Sequence, residues 1–358
     1  MPEKTSWRVQ HQPADAPLPA SWDTLNRAAC RDHPLLASPL LEAALRHFGR
    51  KTVHLATLEN DRGGCRGHAL VTPLSRLRWG LFHPSQLPLG PILLDPGLES
   101  PAGALNSLLR SLPGAGAQLD LTQLDPWYFP LGMDSPQAEL VPYVNTVGIT
   151  VRGRRYEDYL EQRPRKLRSN LRRYQRRVAE AGLVLHLRRD DTPAAVADAV
   201  NIHGLLESAG WKGRQGTALH PDNEQGRFYR DYLCAEAARG RACAYRLQTR
   251  GQTVATWLVA FRGHQAMLLK TAYDESLARL AIGRLMLAET LEDLFRQDGL
   301  QRIEFYTNAN ADQMEWGTDS RAIQHLNFYR HAALRHAWQL GRRLRHGLRA
   351  RRTDQAAA

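Results

Sequence analysis

Three short apolar segments follow one another in the second half of the chain, and they restrict the fold more than any other feature. They are Ala242–Thr249, Thr253–Phe261 and Gln265–Tyr273. The dipeptides Arg250-Gly251 and Arg262-Gly263 separate them, and both are typical of the tight turns that join β-hairpins. The pattern therefore predicts a three-stranded antiparallel meander.

The segments around the meander alternate between helix and strand. After it, the sequence predicts a helix from about Gly283 to Gln297, with Gly299 at its end, and then the strand Arg302–Thr307. Before it, the predicted elements are a helix between Pro164 and Gly182, the strand Leu183–Leu187, a helix capped by Thr192-Pro193, and a helix from about Asp222 to Arg239. This order indicates a mixed α/β unit.

The first part of the chain differs from the second in composition. Seventeen of the 20 prolines precede residue 150. Residues 1–150 carry 12 basic and 13 acidic side chains, whereas residues 151–358 carry 36 and 23, so nearly all of the net charge of +12 lies in the second part. We therefore predict a first lobe of residues 1–148, a second lobe of residues 149–330, and a basic C-terminal helix or tail of residues 331–358.

Several classes of protein are excluded. The longest apolar run, Val254 to Phe261, is far shorter than the roughly 18 to 20 residues that a transmembrane helix needs. The start of the chain lacks the features of a signal peptide. The four cysteines show no metal-ligand spacing, so neither a metal nor a disulfide framework is expected. We therefore expect a cytoplasmic protein of two domains.

Two segments carry most of the excess positive charge. Arg152 to Glu180 holds 11 basic and four acidic residues, and Arg330 to Arg352 holds eight basic residues and no acidic one. Such surfaces attract polyanions, namely nucleic acid, anionic lipid headgroups or a phosphorylated cofactor. Two solvated helix faces would give the same pattern.

The junction between the meander and the next helix has the features of a phosphate site. A helix that begins near Gly283 presents free backbone N–H groups and the positive end of its dipole. Gly283 allows a close approach of the backbone. Arg279 and Arg284 could add charge-assisted contacts. An ordinary turn would also contain one glycine.

Short motifs in a fixed order extend this pattern over residues 150 to 330. They are Lys166-x-Arg168-Ser-Asn-Leu-Arg-Arg173, Glu207-Ser-Ala-Gly-Trp-Lys-Gly213, Phe228-Tyr229, Lys270-Thr-Ala-Tyr-Asp274, Gly283, Ile303-Glu-Phe-Tyr306 and Asp312-x-x-x-Trp316. With the order meander, loop, helix and strand, they resemble the GNAT acyltransferase superfamily. Within it they resemble the BioF2-like/CelD-like acetyltransferases, which are related to the Fem-type peptidoglycan bridge transferases.

The resemblance implies an α/β (α+β) fold with tandem GNAT-like lobes, each a mixed, mostly antiparallel sheet flanked by helices. The first lobe would be degenerate, and the second would hold acetyl-CoA or another acyl-CoA as donor, with no metal. Its pantetheine arm would lie between the splayed strands Gln265–Tyr273 and Arg302–Thr307. The acceptor would be an amine on a sugar, an envelope precursor or a small metabolite.

The resemblance also assigns candidate site residues, each of which has an ordinary structural alternative. The catalytic candidates are Lys270, Tyr273, Asp274, Tyr306 and Glu207. The cofactor would contact Arg279, Ala281, Ile282, Gly283 and Arg284. The acceptor pocket would include Trp211, Lys212, Asp312 and Trp316. Within this set, Tyr306 is expected to protonate the departing thiolate, and Lys270 could act as the base for the amine.

Alternative functions remain open at this point. A Fem-like transferase would take its acyl group from aminoacyl-tRNA, with the basic segment Arg152–Arg177 on RNA phosphates. The cofactor loop has only Gly283 where the superfamily pattern has two small residues, so a non-catalytic binding protein is a third hypothesis. The tail could hold the protein peripherally at an anionic inner membrane.

Overall fold

The computed structural model describes residues 3–49, 52–132 and 134–340. Its strands are β1 Thr5–His11, β2 His54–Asn60, β3 Cys65–Ser75, β4 Arg78–Leu81, β5 Ile92–Leu94, β6 Gln118–Leu124, β7 Ala138–Thr150, β8 His186–Asp190, β9 Ala242–Thr249, β10 Gln252–Arg262, β11 Gln265–Tyr273, β12 Arg302–Glu304 and β13 Asp319–Tyr329. Its helices are α1 Ala20–Cys30, α2 Ser38–Phe48, α3 Pro101–Ser111, α4 Tyr156–Glu161, α5 Arg165–Glu180, α6 Pro193–Ala209, α7 Trp211–Arg214, α8 Glu224–Ala237, α9 Ile282–Phe295 and α10 Ala311–Trp316. Residues 332–340 are also helical.

The described strands form one mixed sheet. Its order is β1-β2-β3-β4-β6-β13-β7-β12-β11-β10-β9-β8, and β5 pairs with β3 beside this path. All pairs are antiparallel except β4 with β6 and β11 with β12. Helices cover both faces of the sheet, so the predicted fold class is confirmed.

The meander is confirmed as β9, β10 and β11. The observed bounds of β9 and β11 agree with the prediction, and β10 is one residue longer at each end. Gly251 and Gly263, in the two turns, have φ of 76° and 54°, a conformation that glycine adopts without a steric penalty. The turn residues therefore fix the register that the alternating side chains require.

Two similar units repeat along the sheet. In each, a helix connects two parallel strands, giving β4–α3–β6 in the first half and β11–α9–β12 in the second. The late strand β13 lies between β6 and β7 and pairs with both. The predicted boundary at residues 148 and 149 falls within β7, and because one sheet crosses it, the division into two lobes stays a prediction.

The two halves share a hydrophobic core. On one face of the sheet, α1 and α2 pack together with α6 and α8, and the rings of Phe48 and Phe228 lie 5.2 Å apart. On the other face, α3 covers the first half, whereas α4, α5 and α9 cover the second. Burial of apolar area on both faces thus holds the halves together.

Some boundaries differ from the prediction. The strand expected at Leu183–Leu187 lies at His186–Asp190, and the strand expected at Arg302–Thr307 ends at Glu304. The chain leaves the sheet there because Tyr306 has a left-handed backbone with φ of 45°. The predicted tail beyond residue 340 lies outside the described residues. Within them, no helix is both long and apolar enough to cross a bilayer.

Candidate functional site

An open notch lies between β11 and β12. The two strands pair at only three positions, from Gln265–Arg302 to Met267–Glu304, and β11 then continues to Tyr273 alone. The chain after β12 turns away, and the Ala309 amide donates to the Asn145 carbonyl at 2.8 Å. Among the described residues, no backbone hydrogen bond joins residues 268–273 to residues 305–309. This notch can therefore hold an extended ligand that uses the free backbone groups.

The corresponding notch of the first half is filled by the chain itself. The strands β4 and β6 also pair at three positions before they separate. Residues 84–91 pass through the gap, and the Gly90 amide donates to the Gln123 carbonyl at 3.1 Å. A Cβ atom at Gly90 would clash with the carbonyl oxygen of Thr122. Only the notch of the second half is therefore open to a ligand among the described residues.

The helix α9 begins beside the open notch. Its N-cap is Ala281, which has a left-handed φ of 56°, and the helix starts at Ile282, one residue before the predicted start. Gly283 has no positive φ, but a Cβ atom there would lie 3.3 Å from the Tyr273 ring. Gly283 therefore serves the close approach of α9 to the end of β11. The amides of Ile282 and Gly283 donate no backbone hydrogen bond among the described residues, so they are available to an anion, as the prediction requires.

The two predicted arginines near α9 differ in their contacts. Arg284 donates to the Tyr174 hydroxyl at 2.8 Å and forms an ion pair with Asp312. Arg279 is exposed and has no hydrogen bond or ion pair within the described residues. Asp312, which was expected in the acceptor pocket, thus lies on the α9 side of the notch. Arg279 is the cation that remains free for a phosphate.

Lys270 lies on the opposite side of the sheet, against α6 and α8. Its Nζ atom is 5.6 Å from the centre of the Tyr229 ring, and it has no hydrogen bond or ion pair among the described residues. Burial lowers the pKa of Lys270, although the nearby carboxylate of Glu207 opposes this shift. An amine in this environment loses its proton more readily than a solvated lysine.

The carboxylate of Glu207 is fully engaged. It accepts hydrogen bonds from the Lys212 ammonium and from the Leu219 amide, the latter at 2.6 Å. Burial would raise the pKa of Glu207, but these hydrogen bonds bring it below its ordinary value. Glu207 therefore positions Lys212 and the segment before Leu219, with one hydrogen bond at each carboxylate oxygen.

A buried histidine that the sequence analysis missed lies next to Glu207. The Nδ1 atom of His203 is 2.8 Å from the Thr256 hydroxyl, and its Nε2 atom is 4.0 Å from Glu207 without a hydrogen-bond partner. Burial lowers the pKa of His203 to about 4. The spacing of His203 and Glu207, four residues apart on one helix, was the available signal.

The structure brings four predicted residues together around a cavity of about 190 Å³. They are Glu207, Trp211, Lys212 and Tyr273. Trp211 and Tyr273 are 51% and 38% exposed, so their rings form its rim. Asp274 is a turn residue instead, because its carboxylate accepts from the Ser276 amide at 2.9 Å.

Two predicted site residues have structural positions. Tyr306 donates to Asp125 at 2.6 Å and accepts from Arg321 at 2.8 Å, and burial raises its pKa well above the ordinary value. The expected role of Tyr306 as proton donor to a thiolate is therefore not supported by its geometry. Trp316 is 1% exposed and packs in the core under α4 and α9, so it does not line the acceptor pocket.

The site thus combines an open notch in a mixed sheet, a helix start beside it and the partly buried amine of Lys270 across the sheet. Residues 165–316 match the family profile described as an acetyltransferase (GNAT) domain. Residues 165–316 therefore contain a GNAT-type acetyltransferase domain, as the motifs predicted, and this match supports an N-acyltransferase. The narrower resemblance to BioF2-like and CelD-like proteins stays a prediction.

Solved structures share the fold over most of the chain. FemX is 11% identical with a TM-score of 0.60, and the match covers 90% of this chain and 97% of FemX. The C-terminal domain of a putative lysylphosphatidylglycerol synthetase from Agrobacterium fabrum is 13% identical with a TM-score of 0.53, and the match covers 85% and 91% of the two chains. L-PGS from Bacillus licheniformis is 14% identical with a TM-score of 0.53, covering 88% and 93%. At these identities the likeness concerns the fold alone. None of the curated proteins matches the chain.

Proposed function

We propose that the protein transfers an acyl group, acetyl by default, from acyl-CoA to an amine. The observation that carries this proposal is the contrast between the two notches. The second half keeps its notch open next to the start of α9, whereas residues 84–91 fill the same place in the first half. Each chain would therefore bind one molecule of the acyl donor.

The donor would lie along the α9 side of the notch. The amides of Ile282 and Gly283, together with the free guanidinium of Arg279, would hold the pyrophosphate. The pantetheine arm would use the unpaired backbone groups of β11. A β11 amide would then stabilise the oxyanion that forms at the thioester carbonyl.

The acceptor would approach from the Lys270 side of the sheet. Burial lowers the pKa of Lys270, so its deprotonated form would act as the base and take a proton from the incoming ammonium, and the amine nitrogen would attack the thioester carbon. A carbon–nitrogen bond forms and the carbon–sulfur bond breaks; the nitrogen releases its second proton to solvent as the amide forms, and the thiolate takes a proton from solvent. No covalent enzyme intermediate is needed. The resemblance favours an amine on a sugar, an envelope precursor or a small metabolite.

A second candidate function is transfer from aminoacyl-tRNA. Its support is the exposed basic face of α5, which carries Arg172, Arg173, Arg176 and Arg177 and lies against α9 through Tyr174. Phosphate contacts by such a face would make binding fall steeply with salt. A non-catalytic binding protein is the third candidate, since the loop before α9 departs from the superfamily pattern.

A thermal-shift experiment separates the candidates. Acetyl-CoA, longer acyl-CoAs and aminoacyl-tRNA are each added to the wild-type protein and to Gly283→Glu. We expect acyl-CoA to raise the Tm of the wild type only, because the new carboxylate repels the pyrophosphate. Gly283→Ala is the matched control, since its Cβ requires only a small shift of the Tyr273 ring. An acyl-CoA response that survives Gly283→Glu would contradict the assigned site.

A further inference from the structure

The helix α6 carries a second apolar stripe besides its core-facing one. Its buried positions include Val196, Val200 and His203. Four other positions, Ile202, Leu205, Leu206 and Ala209, follow the helical spacing i, i+3, i+4 and i+7 and share an adjacent side of the helix. Leu205 is 57% exposed. An apolar stripe that the core leaves uncovered indicates a contact surface.

This stripe forms one wall of a groove of about 720 Å³. The other walls are the turn between β9 and β10 and the segment after β11. Each charged side chain in these walls already has a partner, and that of the Asp274 carboxylate is the Ser276 amide. Arg246 is paired with Asp190 and Asp198, and Arg214 is paired with Glu275. The groove therefore suits an uncharged apolar body better than an ionic one.

The groove leads to the proposed reaction site. It shares Leu206, Gly210 and Glu275 with the 190 Å³ cavity that Trp211 and Tyr273 border. Glu207 and Lys212, which line this cavity, lie close enough to act on the charge of Lys270. A molecule with its amine near Lys270 would thus extend through the cavity into the groove.

We propose that the acceptor is an amphiphilic amine, with its nitrogen at Lys270 and an apolar body along the α6 stripe. This inference rests on the proposed function, and it narrows the acceptor class to amines attached to an alkyl chain or a comparable apolar group. A fully polar amine would leave the stripe in contact with water and would gain nothing from it.

Binding of alkylamines tests the inference without a need for turnover. Titration calorimetry measures the Kd of butylamine, hexylamine and octylamine for the full chain, with and without CoA. We expect octylamine to bind about tenfold tighter than butylamine or more, because each added methylene leaves water. Leu205→Asp should abolish this dependence on chain length, whereas Leu205→Met should keep it. The matched control is Val184→Asp, since Val184 is 65% exposed and lies outside the groove.

Two results would overturn the inference. One is an alkylamine affinity that does not change with chain length, and the other is an increase of affinity with chain length that remains in Leu205→Asp. If Leu205→Asp unfolds, Leu205→Ser is a second variant that interrupts the apolar stripe without adding a charge. Failure of the donor assignment would be distinct, because the acyl-CoA response would then be absent while the chain-length dependence persisted.

Discussion

Lys270 is held at its position by burial rather than by a partner of opposite charge. Lys212 and Lys166, in contrast, form ion pairs with Glu207 and Glu315. The ammonium of Lys270 rests against the Tyr229 ring and keeps a lowered pKa. Among the residues predicted as catalytic, it is the amine that combines an unpaired side chain with a position near the end of the open notch.

Replacement of Lys270 should therefore affect the chemical step. We expect Lys270→Met to lower kcat by about 10² to 10⁴ with little change in the KM for acyl-CoA. In the wild type, kcat/KM should rise with pH through an apparent pKa below that of free lysine, about 10.4. Lys270→Arg keeps the charge but cannot lose the proton, so it should stay inactive. Recovery of activity in Lys270→Arg would instead assign Lys270 to substrate binding.

At the scale of elements, a buried polar network joins the two halves. Nδ1 of His33 accepts from the Leu35 amide, so the Nε2–H group donates to the Tyr306 hydroxyl at 2.9 Å. Tyr306 donates to Asp125, which also accepts from Arg321. These groups come from the turn after α1, the end of β6, the chain after β12, and β13. Loss of one member leaves buried polar partners unsatisfied.

Tyr306→Phe should therefore act on stability. We expect the free energy of unfolding to fall by about 1 to 3 kcal/mol, because three buried partners lose a hydrogen bond. The kcat per folded molecule should remain nearly unchanged. Urea unfolding and steady-state kinetics measure the two effects, and Tyr143→Phe at an exposed ring is the control. A large loss of kcat with an unchanged free energy of unfolding would instead indicate that the Tyr306 hydroxyl takes part in catalysis.

The sequence patterns predicted local elements better than distant contacts. The strands β9 and β11 were predicted with their observed bounds because alternation and Gly turns act within a few residues. The hydrogen-bond partners of Tyr306 could not be predicted from local patterns, since Asp125 precedes Tyr306 by 181 residues. The insertion of β13 between β6 and β7 is likewise a long-range pairing. That Glu207, Trp211 and Lys212 line one cavity was predictable in part because they lie within six residues.

At the scale of the whole molecule, buried neutral histidines make folding sensitive to acid. Burial lowers the pKa of His33 to about 3, and the pKa values of His68, His83 and His203 to about 4. In the unfolded chain these groups titrate near 6.5. Below pH 6.5 the unfolded state therefore binds more protons than the folded state. The free energy of unfolding is thus highest above pH 6.5 and falls as the pH decreases.

This linkage predicts a steep loss of stability between pH 6.5 and 4. If all four histidines are protonated in the unfolded state and neutral in the folded state, the free energy of unfolding changes by about 5 kcal/mol per pH unit. Urea unfolding at pH 7, 6 and 5 measures it. His203→Gln should reduce the slope by about one proton, whereas His186→Gln at an exposed position should leave it unchanged. A slope that His203→Gln does not alter would contradict a neutral buried His203.

The asymmetric charge of the molecule predicts an interaction with an anionic membrane. Helical residues 332–340 lie against the start of β7, where Arg335 donates to the carbonyls of Pro136 and Ala138, and they leave Leu334 and Leu340 exposed. Residues 341–358, outside the described residues, contain Arg342, Arg343, Arg345, Arg349, Arg351 and Arg352. Each arginine near an anionic surface contributes about 1 kcal/mol of attraction.

The full chain should therefore sediment with anionic vesicles at low salt and be released at high salt, because salt screens these charges. Removal of residues 341–358 should abolish the binding, and replacement of the six arginines by glutamine should do the same while it keeps the chain length. Vesicles of neutral lipid provide the control. Binding that remains after the truncation would show that another surface contacts the membrane. Absence of binding by the full chain would indicate that the amine acceptor is bound away from the membrane.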